Sequence, residues 1–443
     1  MSSTRAPEPI HPRQALLSKP AKSFAVLVAL IGVAYLVPGA ERFRLLSPKQ
    51  VEEQTSPAAS DSASAPVGEA QLVDETTDRP ELAAPQHAQI PEAKPGLPPL
   101  SPAAQSKASP LPVEDPSGTA LDAFHAALLA VEHKRPGAIA RIVHYGDSLL
   151  AVDFVTGTLR RKLQERFGDA GHGYMPIANP WPGYFHNDVY RRATTDWTVS
   201  RVVGPFAADD LYGLGGVTFI GRSRASRAEY GTSTKSDFGR AVSRFGVQYL
   251  EQPDGGVFEI SVDKDAQVIR VETAAQTPGL KERMIQVPDG EHRFEFRVVK
   301  APVRAFGTWM ERGVPGVVLD SIGIQGGRMR FLDKSDDAHW AAALQMRNPS
   351  LVVFQFGLNE SADGFAYPMQ RYRETSLAVL QQARRALPKA SCLVIAPNDT
   401  AVKKGTSIVS RGVMPHLVKV QREVSAAAGC AFFNTWEAMG GLG

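Results

Sequence analysis

Ala140-Arg-Ile-Val-His-Tyr-Gly-Asp-Ser148 runs from an apolar strand pattern into a tight turn, and Leu149 to Phe167 then reads as a helix with Gly168 as its stop. Strand, turn and helix in that order open an α/β fold. The rhythm repeats further along. Ser350-Leu-Val-Val-Phe-Gln-Phe356 ends in Gly357-Leu358-Asn359-Glu360, with a helix over residues 370–387; Ser391-Cys-Leu-Val-Ile-Ala396 precedes a helix over 415–428 that carries Pro415 near its first turn. Residues 317–324 and 430–433 complete five strands, apolar enough to be buried on both faces. The pattern predicts a doubly wound, parallel five-stranded sheet of flavodoxin-like type. Before it, Leu121, Phe124, Leu128 and Val131 share one helical face, with Thr119 and Asp122 at capping-box spacing.

Between residues 180 and 316 the period changes to alternation, as in Val257-Phe-Glu-Ile-Ser-Val262, residues 268–273 and residues 292–299, separated by Pro253-Asp-Gly-Gly256 and Pro288-Asp-Gly290. This reads as an antiparallel β-sandwich inserted into the α/β domain, of the kind seen in carbohydrate-binding modules. Trp181, Tyr184, Phe185, Tyr190 and Trp197 near its start either stack on sugar rings or fill the junction between the two parts.

The chain has 443 residues, room for two or three domains. Residues 24–40 form an uncharged apolar run preceded by Arg5, Arg13, Lys19 and Lys22. They are expected to be a transmembrane anchor or signal segment behind a cytoplasmic leader of residues 1–23. That orientation places the rest across the membrane, in a bacterium the periplasm, or outside if the leader is cleaved. Residues 41–117 hold thirteen prolines and no sustained apolar period, the composition of a disordered linker. The α/β domain is then expected over 118–179 and 317–443.

With 49 Lys and Arg against 46 Asp and Glu, the charge is too balanced for a nucleic-acid binder. Two cysteines, Cys392 and Cys430, cannot make a thiolate metal site; they are expected as two buried thiols, with a disulfide between neighbouring strands as the alternative.

A serine nucleophile needs a hydroxyl on a turn after a strand, a base and donors for the oxyanion. Ser148 has that placement, with its N–H at the start of a helix. Asn359, after another strand, has a side-chain amide to donate, and Ile322-Gly-Ile-Gln-Gly326-Gly327 places a glycine N–H past a third strand end.

Taken in order, the block around His144-Tyr-Gly-Asp-Ser148, Ile324-Gln-Gly326 and Gly357-Leu-Asn359-Glu resembles the SGNH or GDSL hydrolase family. With Phe167-Gly-Asp-Ala-Gly-His-Gly-Tyr174 and the β insert, it is most similar to bacterial peptidoglycan O-acetylesterases over residues 138–443. The resemblance implies Ser148 as nucleophile, the N–H groups of Ser148 and Gly326 with the Asn359 amide as oxyanion hole, and Asp147 as a structural residue of the turn. It implies no metal or cofactor, an acetylated cell-wall polysaccharide as partner and an acetyl-serine intermediate.

The family's Asp-x-x-His after the last strand is not found before Gly443. The resemblance therefore leads one to expect a piece of a longer chain, a split gene, or a scaffold that binds carbohydrate without catalysis. Among the ten histidines, His144 is expected buried, His172 at the opposite edge of the sheet, and His416 is the least implausible surrogate base. An O-acetyltransferase using a sugar acceptor and a lipid or thioester hydrolase are further readings.

Overall fold

The computed structural model describes residues 111–405 and 407–442. The apolar segment 24–40 and most of the expected linker lie outside them. Among the described residues no helix is long and apolar enough to cross a membrane.

Five parallel strands, β1 (Ile139–Gly146), β2 (Gly316–Gly323), β3 (Leu351–Gln355), β4 (Ser391–Ile395) and β5 (Ala431–Phe433), form a sheet in the order β2-β1-β3-β4-β5. Alternation divides their side chains between two cores. Val143, Tyr145, Ile322, Val352, Phe354, Cys392 and Val394 face one side, while Ala140, Ile142, Val317, Leu319, Leu351 and Val353 face the other. Helices α1 (Asp122–Glu132), α2 (Ser148–Ala151) and α3 (Phe154–Phe167) follow the chain around β1. Then come α4 (Asp337–Arg347), α5 (Leu358–Ala362), α6 (Met369–Ala386), α7 (Met414–Ala427) and α8 (Thr435–Ala438). Residues of α4, α6 and α7 fill the first core; α1 and the inner face of α3 pack on the second. The parallel, doubly wound sheet read from the sequence is present.

Several local expectations are corrected. The helix expected over 149–167 is broken at Val152–Asp153, where Asp153 takes a left-handed conformation (φ 52°) and buries its carboxylate against Arg160. No capping box forms at Thr119 and Asp122; instead the Asp115 carboxylate accepts the N–H groups of Ser117, Gly118 and Ala120. Residues 111–117, assigned to the linker by composition, are part of the fold, since Glu114 exchanges two backbone hydrogen bonds with Phe432 beside β5. Cys392 and Cys430 are joined in a disulfide, not left as thiols. The pairing of Leu393 with Ala431 makes the two preceding residues neighbours, with Cα atoms 4.7 Å apart.

Two antiparallel sheets make up the insertion. One contains strands 242–251, 303–311, 217–221, 197–201 and 279–290; the other contains 189–193, 227–232, 293–300, 257–262 and 267–272. They meet face to face through Phe245 stacked on Phe294 at 4.1 Å and Tyr249 edge-on to Phe258 at 5.1 Å between ring centres. The insertion begins earlier than residue 180, because Gly173–Pro176 already pairs with the strand 303–311.

Where it returns to β2, a buried ion cluster ties it to the sheet. Glu311 meets Arg141 of β1 at 2.8 Å and Arg347 of α4 at 2.6 Å, and Arg347 also holds Asp320 of β2 at 2.6 Å. Burial alone would raise the Glu311 carboxyl, but the guanidinium groups of Arg141, Arg347 and Arg244 hold it well below the usual carboxylate range.

Candidate active site

β1 lies between β2 and β3, so the strand order reverses there, and the crevice beyond the carboxyl ends of these strands is where open α/β sheets bind ligands. Ser148 follows β1, Gly326 follows β2 and Asn359 follows β3. The three sequence-predicted residues thus come to the same edge of three adjacent strands.

The turn carrying Ser148 is built by its neighbours. A Cβ on Gly146 would stand 2.6 Å from the Leu150 side chain and 2.8 Å from the Gln355 carbonyl, so only glycine passes there. Asp147 is buried and caps α2, its Oδ1 accepting the Leu149 N–H at 3.0 Å. Burial pushes its carboxyl up to about 6 against the N–H groups of Leu149 and Leu358. Ser148 itself is exposed at the first position of α2, and no described residue is hydrogen-bonded to its hydroxyl.

Three glycines compete in the loop after β2, and their surroundings separate them. A Cβ on Gly323 would lie 2.2 Å from the Ala151 nitrogen, and one on Gly327 would lie 2.7 Å from the Ile324 carbonyl; both are packing glycines. Gly326 has φ 71° and nothing within 4 Å of its Cβ position, so a side chain there would meet open space, and its N–H is in no backbone hydrogen bond among the described residues. Ile324 N–H bonds the Gly146 carbonyl at 2.9 Å, which docks this loop against the Ser148 turn.

Asn359 sits in α5, which can start where it does because Gly357 takes φ 130° and passes Pro397. Its Nδ2 donates one N–H to the Gly327 carbonyl at 2.8 Å. A primary amide has two, so the second is available to a ligand. Glu360, quoted in the sequence motif without a role, is completely buried next to it; burial pushes its carboxyl up to about 7. The loop beyond β4 joins the same edge, with Thr400 Oγ1 3.2 Å from Ser361 Oγ.

The histidines fall elsewhere. His144 is buried in β1, 3.1 Å from Gln355 Oε1, and burial pushes its imidazole down to about 4. His172 is buried with its Nε2 3.2 Å from His186 Nδ1, and His186 stands 3.8 Å from Asp153. Burial pushes His186 down to about 4 and His172 well below its ordinary value. His416 is exposed, with its ring against Phe365 at 5.5 Å. Among the described residues, none of these is bonded to Ser148.

Of the aromatic residues read as either stacking on sugars or filling the junction, most are internal. Trp181, Tyr184 and Trp197 are all buried in one apolar cluster that also holds Ala151 of α2, with Trp197 against Phe219 and Phe296 of the insertion, so they serve as packing. Tyr190 is half-buried and donates to Glu229, while Phe185 is exposed.

No family model and no curated protein matches the chain. A solved structure of a peptidoglycan O-acetylesterase aligns with a TM-score of 0.61 and 21% identity, covering 74% of this chain and 87% of that one. The two share one fold. The likeness expected from the sequence holds at the level of the fold. An acetyl xylan esterase aligns over 28% of this chain and 60% of its own (16% identity, TM-score 0.23), and a family two carbohydrate esterase from Cellvibrio japonicus over 59% and 87% (11%, 0.22).

Proposed function

We propose that the protein is a cell-envelope serine esterase removing O-acetyl groups from a polysaccharide, with peptidoglycan as substrate. One observation carries this reading: an exposed serine hydroxyl at the reversal point of the sheet, with uncommitted donors from the loop after β2 and from Asn359 on either side. Ser148 attacks the acetyl carbonyl, and the oxygen that gains charge is met by the N–H groups of Ser148 and Gly326 and the free N–H of Asn359. The sugar hydroxyl leaves, and water then releases acetate from the serine ester. Among the described residues no base is hydrogen-bonded to the Ser148 hydroxyl, and the reading requires one to approach within about 3 Å. The fold it shares with a peptidoglycan O-acetylesterase supports the choice of substrate. Asp147 holds the turn. The buried disulfide fits a compartment that is oxidising, as the expected periplasmic placement behind a membrane anchor requires.

Hydrolysis of a small acetyl ester by the whole protein tests this. Ser148→Ala should abolish it with the melting temperature unchanged, because the side chain is exposed and unbonded; an unchanged rate removes Ser148 as nucleophile.

The unbonded Ser148 hydroxyl also favours a second reading, carbohydrate binding without catalysis. In that case the wild-type chain is inert toward acetyl esters yet is retained by purified cell wall, equally with Ser148→Ala.

A further inference from the structure

Glu360 is the one buried carboxyl at this edge to which the proposed mechanism gives no task. Its Oε1 accepts the Met329 N–H at 3.2 Å, while Oε2, equally buried, has no hydrogen-bond partner. An ionised carboxylate so placed is costly, since half of its acceptor capacity is unmet and it is out of water. Its neighbour Asn359 bonds the Gly327 carbonyl. Two consecutive side chains of one short helix therefore grip the carbonyl of Gly327 and the N–H of Met329, two points on the backbone just after Gly326. A third contact from the same segment, Asp363 to Arg328 at 2.5 Å, closes the grip.

We propose that Glu360 is a positioning residue for the donor loop: it holds the Met329 N–H and fixes the peptide that presents the Gly326 N–H, and because an ionised Oε2 gains partners only from water, ionisation favours the opened loop even though the Met329 N–H itself prefers the carboxylate. The inference rests on the esterase reading for the use of that N–H, but the loop effect itself does not.

The groups around it point the same way. Asp147, from the turn after β1, adds negative charge that opposes ionisation. Arg328 favours ionisation, but its guanidinium is committed to Asp363 and lies over the Tyr367 ring. Tyr367, and Tyr372 from α6, are neutral phenols raised by burial and by the Glu360 charge. Burial is the dominant cause of the raised Glu360 carboxyl, so its ionisation falls in the neutral range.

Amide hydrogen exchange over residues 324–331 tests this in the full chain, compared at about pH 5.5 and about pH 8.5 after correction for intrinsic rates. Wild-type protection should fall by about tenfold or more between the two, as the acid passes from mostly neutral to mostly ionised. Glu360→Gln keeps the acceptor for Met329 and cannot ionise, so its protection should not change with pH. Glu360→Ala should lose protection at both. If the wild type and Glu360→Gln respond identically to pH, the proposal is overturned; this comparison decides it even where Glu360→Ala fails to fold. Acetyl-ester kinetics form a separate arm. There, Glu360→Ala should lower kcat and leave KM within about threefold, because the donor acts on charge that develops only in the transition state. Inactivity of every variant and of the wild type would remove the esterase reading and leave the exchange result standing.

Discussion

Asn359 and Gly326 make separable demands. Asn359→Ala should lower kcat about 100-fold, the usual loss for one oxyanion donor, since its second N–H has no other use in the structure. Gly326→Ala has room for the methyl, so only the left-handed backbone opposes it, at a cost of about 1 kcal/mol, whereas Gly323→Ala drives a methyl into the Ala151 backbone and should unfold the edge. Thermal melts of the two variants check the contrast. Glu360 and Asp153 shift in opposite senses. Because the folded Glu360 carboxyl is raised from its ordinary 4.5 to about 7, its stabilising effect is complete below about pH 4.5 and is lost as pH rises through 7. Glu360→Gln should therefore be more stable than the wild type by up to about 3 kcal/mol at pH 8 and no more stable at pH 4. Asp153 is raised by burial but lowered more by Arg160 and His186, so its contribution is present above about pH 4 and disappears as pH falls below that. Melting curves across pH 2.5 to 8 should show a shallower acid limb in Asp153→Asn, with the Glu311 carboxyl supplying part of what remains.

The break between α2 and α3 shows where the sequence stopped being legible. The stretch 149–167 has uninterrupted helical spacing, and no glycine or proline marks Val152–Asp153. The break is tertiary in origin: Asp153 leaves the helix to meet Arg160 at 2.9 Å, the Thr156 hydroxyl at 2.6 Å and the Asn187 N–H at 2.9 Å, a partner 34 residues away. Such a network overrides local preference and leaves no periodic trace. The parallel strands were readable for the opposite reason, since burial on both faces demands unbroken apolar runs. That Ser148 and Asn359 stand after strands was readable, whereas position alone did not separate Gly326 from Gly323 and Gly327. Glu360 was not readable, because a carboxylate following Asn359 looks like an ordinary exposed turn residue until the fold closes over it. The buried pair at the break carries stability: Arg160→Met leaves the buried Asp153 carboxylate without its guanidinium, while Asp188 keeps Arg161, and should cost about 3 to 5 kcal/mol, measured by denaturant unfolding.

Two cross-ties hold the protein together at a distance from the site. The disulfide joins residues 38 apart in sequence, and removing that restraint from the unfolded chain should cost about 4 kcal/mol in the loop-entropy account. Unfolding of the wild type with and without reductant, against a Cys392→Ser/Cys430→Ser double variant, should show the difference only without reductant. The Glu311 cluster does for the insertion what the disulfide does for the last two strands, by ion pairing instead of a covalent bond. A different kind of consequence follows from Glu114. β5 is three residues long and stands at the rim of the sheet, and on its outer side Phe432 exchanges two 2.8 Å hydrogen bonds with Glu114, whose carboxylate is clasped by Arg422 at 2.7 Å. An uncovered rim of this kind recruits a strand from another molecule. A chain beginning at residue 118 would present that rim bare, and light scattering should show it self-associating at concentrations where a chain beginning at 111 does not. The short stub ahead of the first helix is then a guard against polymerisation, ending the sheet at its fifth strand.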